Sequence, residues 1–218
     1  MYTININNKI YLKKYNSYIS FLNDIVHKHD DYIYSMICEI PKNTNAKMEI
    51  NLEERYNPII QDIYKGKPRF YTDKMKWNYG AIPQTLEDDQ HIFEEIGYPG
   101  DGDPIDVIDI GSRVLEVGEI IPVKIIGIIP LIDNMETDWK ILAININDTK
   151  AKLINNLEDL NRYFPNLEIE LFDWFENYKL KSHQIKNTFG LNKKIGDKEL
   201  AKKIIELGHK HWKDTIKI

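Results

Sequence analysis

Cysteine is nearly absent from this chain: Cys38 is the only one among 218 residues. An intramolecular disulfide is therefore excluded, and the count fits a reducing compartment. Long apolar runs are missing as well. The longest candidate, Ile120 to Ile132, is interrupted by Pro122, Lys124, Gly127 and Pro130. It falls short of the roughly 18 apolar residues of a membrane-spanning helix. The N-terminal residues have no signal-peptide core, since Asn and Lys recur among them. A cytoplasmic location and no membrane partner are the expectations. A basic excess is lacking too. The net charge of −5 argues against nonspecific nucleic-acid binding. The pairs Lys193-Lys194 and Lys202-Lys203 read as solvated helix faces. Internal repeats and long low-complexity linkers are absent. With 42% hydrophobic and 29% charged residues, the chain reads as one globular domain over 1–218.

What is present begins with strands. The first 30 residues read as short strands around an Asn7-Asn8 turn, and Tyr32 to Ile40 is a β-prone apolar run. Ala46 to Ile50 alternates with period two, so Lys47 and Glu49 share one face. Pro58 to Tyr64, Arg69 to Tyr71, Val114 to Ile129 and Trp139 to Ile146 read as further strands. Gly and Pro punctuate them at short intervals, the pattern of a small barrel. Helices come late. Asn155 or Asn156 caps a short one through Phe164. Pro165-Asn166 starts a second, with Leu167, Leu171, Trp174 and Tyr178 at helical spacing. Asp197 caps the last. The order is that of an α+β fold. His209 and His211, two apart on that last helix, point about 200° apart and cannot share a metal; both read as solvated. Cys38 reads as a packing residue.

The densest chemistry lies in Asp101-Gly102-Asp103-Pro104-Ile105-Asp106. Three carboxylates share a turn that Gly102 and Pro104 keep from becoming a helix, just before an apolar strand. Like charges so close raise each other's pKa. Hard oxygen ligands gathered there suit Mg²⁺, Mn²⁺ or Ca²⁺. An EF-hand is excluded, because Asp106 stands where the glycine belongs and Ser112 where the bidentate Glu belongs. Asp133 ends one apolar strand and Asp138 begins the next, so a tight connection puts both at one rim. A plain polar hairpin is the competing reading. Arg69, in an apolar setting, needs an anionic partner. Lys47, Tyr79, Tyr178 and Lys179 add cations and phenols. Surface ion pairs for Lys47 and Arg69, and a core ring for Tyr178, are the simpler alternatives. Together the set describes a site for a polyanion held through divalent cations.

On these residues the chain resembles the soluble, Mg²⁺-dependent family I inorganic pyrophosphatases, in their eukaryotic-type branch. The resemblance is carried by Asp101 to Val107, by Glu39-Ile40-Pro41, and by Thr44 to Ile50. Asn57 to Asp62 and Asn78 to Thr85 continue it. Glu136 to Lys140, Tyr163-Phe164-Pro165, Trp174-Phe175 and Tyr178-Lys179 complete it in order. It implies a small OB-like five-stranded β-barrel with flanking C-terminal helices, hydrolysing pyrophosphate to two phosphates. By the family pattern Asp101, Asp106 and Asp138 hold the first metal, and Asp106 bridges to a second. Asp103 is the base for a water between those two. Asp133 with Asp138 holds a third metal, and Glu49 helps hold a fourth, so three to four Mg²⁺ are implied, with Mn²⁺ possible. Lys47, Arg69, Tyr79, Lys140, Tyr178 and Lys179 contact phosphate or support the site, and Glu39 is an acidic group behind it. A homodimer is implied as well, and Trp77 could serve an interface or the core.

The chain departs from that pattern in three places. The loop between Arg69-Phe70 and Asn78-Tyr79-Gly80 is short. Met75 stands where the family has a tyrosine four residues before the Tyr of Asn-Tyr-Gly, described as a proton donor to the leaving group. Methionine cannot donate. Tyr71, Lys74 or Lys76 takes over part of the role, or metal and Lys179 manage the leaving phosphate. The N-terminal segment, 1–32, is divergent, with Asp24-Ile25-Val26-His27 at the family's entry, a change touching packing more than chemistry. Leu180-Lys181-Ser182-His183 lacks the family's Pro- and Gly-containing stretch. Besides a pyrophosphatase, two readings stay open: a hydrolase of another phosphoanhydride such as short polyphosphate, and an inactive OB-like binding module. The retained acids speak against the last.

Overall fold

The computed structural model describes residues 1–179 and 186–216. The expected turn opens the chain. Strands β1 (Tyr2–Ile6) and β2 (Lys9–Lys14) pair across Asn7 and Asn8. Both asparagines have positive φ, as a two-residue hairpin of this twist requires. After β3 (Ile33–Ile40), the short strands β4 (Met48–Ile50) and β5 (Ile59–Gln61) join the hairpin in a sheet ordered β1-β2-β5-β4.

The second sheet holds the rest of the plan. It comprises β3, β6 (Asn78–Ala81), β7 (Asp106–Asp109), β8 (Ile120–Asp133) and β9 (Glu136–Asn145), with short strands at its margins. β8 pairs with β9, β9 runs parallel to β7, β7 pairs with β6, and β6 with β3. β3 then pairs back with β8, so five strands close into a ring. This ring corresponds to the expected five-stranded barrel. Gly80 is required where β6 crosses β3, because a Cβ there would lie 1.8 Å from the Ile37 carbonyl oxygen.

The strands carry two apolar faces. On β9, Trp139, Ile141 and Ala143 join one cluster with Ile204 and Ile205, while Leu142 and Ile144 join the other with Leu171 and Phe175. On β8, Ile121, Val123 and Ile125 face the first cluster. A register shift between Ile125 and Gly127 then swaps parity, and Ile128 continues that face while Ile129 and Leu131 take the other. One extra residue is all such a swap needs. A third cluster, with Leu12, Phe21, Ile37, Ile59 and Trp212, ties the N-terminal hairpin to the ring.

Helices close both faces. α1 (Leu157–Tyr163) starts at Asn156, whose side chain accepts from the Asp159 amide. α2 (Leu167–Asn177) buries Leu167, Leu171, Phe172, Trp174 and Phe175. α3 (Lys198–Thr215) starts at Asp197, which accepts from the Leu200 amide. Such a cap is worth about 1 kcal/mol. Among the described residues no helix is long and apolar enough to cross a membrane.

Several expectations need correction. Pro58 to Tyr64 divides at Asp62 into β5 and a two-residue strand, Ile63–Tyr64, which turns at Lys65-Gly66 and pairs with Lys67–Pro68. Arg69 to Tyr71 form no strand beyond an isolated bridge between Phe70 and Ala46. Pro68, lacking an amide hydrogen, helps end the ladder before them. β8 starts at Ile120 rather than Val114, after a turn at Gly118 with φ +79°. The last-helix histidines are half-buried, not solvated: His209 stacks on His27 at 3.7 Å, and His211 lies 4.8 Å from His91. Trp77 and Cys38 are core residues. Ile25 is buried in the N-terminal cluster, so the divergent entry segment serves packing. Leu180 to His183 lie outside the described residues.

Candidate active site

The α2-facing side of the ring turns polar at its mouth. On β9 the residues Asp138 and Lys140 continue the row of Leu142 and Ile144, and on β7 Asp106 continues the row of Ile108. Period two therefore delivers both acids and the lysine to the open end of an otherwise apolar face. Parallel register sets Asp106 directly beside Lys140. The β8–β9 connection is the tight two-residue turn Asn134-Met135, both with positive φ, and Asp133 pairs across it with Glu136.

The turn before β7 is fixed by its backbone. The Gly102 amide donates to the Glu87 carbonyl at 2.8 Å, and the Glu87 amide donates to the Asp103 carbonyl at 2.8 Å. Gly102 has φ +84°, where an L side chain is strained. The Asp103 amide donates to an Asp101 carboxylate oxygen at 3.0 Å. β4, held by β5, brings Glu49 to the opposite rim, with Lys47 just before it.

These pieces border one cleft of about 520 Å³. Asp101, Asp103, Asp106, Asp133, Asp138 and Glu49 line it. So do Lys47, Arg69, Tyr79, Lys140, Tyr178 and Lys179, with Glu39 at its edge. Every residue that the resemblance assigns to metal, phosphate or the acid behind the site therefore lies in the same place. The charges are interlocked. Lys140, 2% exposed, donates to both Asp106 and Asp138. The Tyr79 hydroxyl also donates to Asp106, Lys179 to Asp133, and Lys47 to Glu49. Asp62 accepts from Lys47 at 3.0 Å and from Arg69 at 2.9 Å. Glu39 accepts from the Ile50 amide at 2.7 Å, tying β3 to the site strand β4.

The electrostatics follow from burial. Asp101 is pushed up to about 8, by desolvation first and then by the charges of Asp138 and Asp103. Asp138 rises to about 6 through desolvation, with Lys140 opposing. Asp103 is raised by desolvation and by Glu49. Desolvation would lower the Lys140 pKa, but Asp106 and Asp138 hold it well above the ordinary lysine value. Asp62 is desolvated too, yet Lys47 and Arg69 bring its pKa below the usual range. Among the described residues no three acidic, histidine or cysteine side chains form a ready-made cation cage. Ammonium groups stand between the acids instead.

Two participants escaped the sequence reading. Asp62 holds Lys47 and Arg69 in place, and its position in the Asn57 to Asp62 motif was the available signal. Glu87 is 1% exposed, accepts from the Trp139 amide at 3.1 and 3.2 Å, and is raised well above the usual carboxylate range by desolvation, Asp101 and Asp138. Nothing in its local sequence separates it from the half-buried Asp88 and the exposed Asp89 that follow.

The short loop resolves one question. Met75 is 2% exposed, packed in the α2-side cluster, and its amide and carbonyl pair with Thr44 and Asn43. Lys76 points to Glu170 at 3.5 Å, and Lys74 is exposed. Of the three substitutes considered, Tyr71 alone lines the cleft.

Fold and cleft together define an α+β protein whose strand ring opens on a site of densely mixed fixed charge. The profile of the inorganic pyrophosphatase family matches residues 36–213. An inorganic pyrophosphatase of Drosophila melanogaster is 46% identical over 189 residues, covering 84% of this chain and 56% of that protein. The chain thus spans little more than half that relative's length. Among solved structures, the inorganic pyrophosphatase of Schistosoma japonicum superimposes with a TM-score of 0.94 at 40% identity, over 98% of this chain and 80% of that one. An N-terminally truncated vacuolar soluble pyrophosphatase of Trypanosoma cruzi, in complex with PPi, gives 0.93 at 35% identity, over 100% and 90%. The chain belongs to the inorganic pyrophosphatase family.

Proposed function

We propose that this chain hydrolyses inorganic pyrophosphate to two phosphates with a cation-activated water. The observation that carries the reading is the cleft itself: nine acidic side chains, Asp101, Asp103, Asp106, Asp133, Asp138 and Glu49 among them, interleaved with Lys47, Arg69, Lys140 and Lys179. Acids alone repel a polyanion, and lysines alone need no such cluster of acids; both together suit phosphates bridged by divalent cations.

The residues present fit such cations. The donors are all carboxylate oxygens, the hard set that Mg²⁺ takes, with Mn²⁺ a substitute. One oxygen, Asp133 Oδ1, is buried without a hydrogen-bond partner among the described residues. Asp101, Asp106, Asp138, Asp133 and Glu49 would hold three to four Mg²⁺, on the family pattern. When bound, these ions supply positive charge and lower the pKa of a water toward neutrality. Asp103, on the turn before β7, takes the water's proton; such a base contributes roughly 10²–10⁴-fold. Lys47, Arg69 and Lys179 bind phosphate oxygens, and Tyr79 and Lys140 orient Asp106. Glu39 braces β4 from behind. A homodimeric assembly and a cytoplasmic location belong to the same proposal, supported by the family resemblance and the lone buried cysteine.

Phosphate release from pyrophosphate, with Mg²⁺ and with a chelator, tests the reading. Turnover at neutral pH that requires Mg²⁺ is expected; none would overturn it. A second reading, hydrolysis of short polyphosphate, is favoured by one feature. A groove of about 480 Å³ lined by Lys65, Lys67, Arg69 and Lys179 adjoins the cleft. Tripolyphosphate as the better substrate would establish that reading instead.

A further inference from the structure

Most polar groups of the cleft are committed to one another. Lys140 and Tyr79 converge on Asp106, Lys47 and Arg69 on Asp62, and Lys179 on Asp133. Tyr71 is different. Its phenol makes no hydrogen bond to another described residue and is not among the buried orphan atoms, so the hydroxyl opens to the cleft. The ring is nonetheless fixed. It meets Tyr178 edge to face at 5.4 Å and packs on the α2-side cluster. Its backbone is clamped on both sides by Asn45, since the Tyr71 amide donates to the Asn45 carbonyl at 2.8 Å and the Asn45 side chain donates to the Tyr71 carbonyl at 3.1 Å. The residue therefore combines a rigid stem with an uncommitted donor.

Its location gives that donor a direction. Tyr71 belongs to the wall that the cleft shares with the neighbouring groove, together with Arg69, Tyr178 and Lys179; none of the carboxylates reaches that groove. Besides its desolvation, the phenol feels the positive charges of Lys47, Lys140 and Arg69 and the negative charge of Asp106. The cleft cations on this wall are Arg69 and Lys179, and Asp103 lies outside it, so a phosphate seated there is the one that departs.

We infer that Tyr71 is a catalytic residue, its hydroxyl donating a hydrogen bond to the departing phosphate, the task that Met75, sealed in the core, cannot perform. The inference rests on the pyrophosphatase reading above. In the step, the water oxygen bonds to one phosphorus and that phosphorus loses its bond to the bridging oxygen. The bridging oxygen leaves with the electron pair on the second phosphate. One proton of the water stays on the new P–OH, and the other, taken by Asp103, passes through solvent to that phosphate. The phenol keeps its own proton throughout. Burial, which pushes its pKa up to about 12, agrees with that role.

Tyr71→Phe removes one oxygen and keeps the ring on Tyr178. A hydrogen bond to a charged oxygen that strengthens as charge develops is worth about ten- to a hundredfold. In Mg²⁺ buffer, kcat for pyrophosphate should fall by that range. The affinity for imidodiphosphate, a non-hydrolysable analogue, measured by calorimetry, should weaken about tenfold. Lys74→Ala, Lys76→Ala and Met75→Leu should change both by less than about twofold. Wild-type-like kcat and imidodiphosphate affinity in Tyr71→Phe would overturn the inference. So would a loss in Lys74→Ala or Lys76→Ala matching the one predicted for Tyr71; those two substitutions are exposed, so they test the proposal even if Tyr71→Phe folds poorly. If the wild type does not hydrolyse pyrophosphate, the functional reading fails, while the imidodiphosphate comparison still reports on Tyr71 separately.

Discussion

Asp103 differs from its acidic neighbours in that no hydrogen bond reaches its carboxylate among the described residues; Asp101, which likewise meets no cation, accepts from the Asp103 amide. Asp106 and Asp138 are bound by Lys140, Asp133 by Lys179 and Glu49 by Lys47. No cation of the protein bonds the Asp103 carboxylate among the described residues, although its backbone is fixed on both sides through Glu87 and Asp101. A carboxylate held still with its oxygens uncommitted suits a base better than a ligand. Asp103→Asn preserves shape and removes basicity. It should leave thermal stability and the Mg²⁺ titration nearly unchanged and lower kcat by about 10²–10⁴-fold. A rate within threefold of wild type would remove Asp103 as the base. The same residue shows why the site was legible. Asp101, Asp103 and Asp106 announce themselves by crowding, and Asp138 and Lys140 by period two ahead of Leu142 and Ile144. Asp62 and Glu87 stayed hidden because their meaning is given by partners far along the chain: Arg69 and Lys47 for one, Trp139 for the other.

At the level of elements, what the sequence made legible depends on whether the deciding interaction is local. Asn156 and Asp197 cap helices through hydrogen bonds three residues away, and both helix starts were read correctly. The Asn7-Asn8 hairpin is equally local. Arg69 to Tyr71 were misread because their shape is set by long-range hydrogen bonds to Asn45 and Asp62 rather than by a ladder. The histidines of α3 were misread for the same reason: their neighbours, His27 and His91, come from remote segments. That packing carries a pH consequence. Desolvation, with the nearby positive charges of His209, Lys213, Lys28 and His29, lowers the His27 pKa to about 4. The His209 ring, stacked on His27 and Trp212 with its Nδ1 at the Gln84 carbonyl, is lowered as well, mainly by burial. An unfolded histidine takes its proton near pH 6.5. Between pH 6.5 and 4 the unfolded chain therefore binds more protons at these sites, and stability is lost as pH falls. His27→Phe keeps the stacked ring and cannot protonate. Its stability relative to wild type should rise as pH drops from 6.5 to 4.5, by urea denaturation. Parallel curves for the two proteins would contradict the argument.

The whole molecule concentrates its excess negative charge in one cleft, and that sets how folding, protons and cations are linked. Without cations, desolvation and then the neighbouring acids push Asp101 up to about 8, and desolvation, opposed by Lys140, pushes Asp138 up to about 6. In the unfolded chain both ionise near 3.9. From about pH 4 to pH 8 the native state thus holds more protons at these positions than the unfolded one. Their contribution to stability falls as pH rises through that window, the reverse of the histidine effect. Divalent cations bind the ionised acids and must displace the remaining protons, so affinity climbs with pH. Stabilisation follows occupancy, about 2.7 kcal/mol at a hundred times the dissociation constant. Without Mg²⁺ the melting temperature should therefore decline from pH 6.5 to pH 8.5. Millimolar Mg²⁺ should raise it at both ends, and by more at pH 8.5. Calorimetric titration with Mg²⁺ at pH 7 should give heats that depend on the buffer's ionisation enthalpy, since Asp101 releases its proton on binding. Equal Mg²⁺ stabilisation at the two pH values, together with buffer-independent heats, would mean that the acids of the cleft are not the cation ligands.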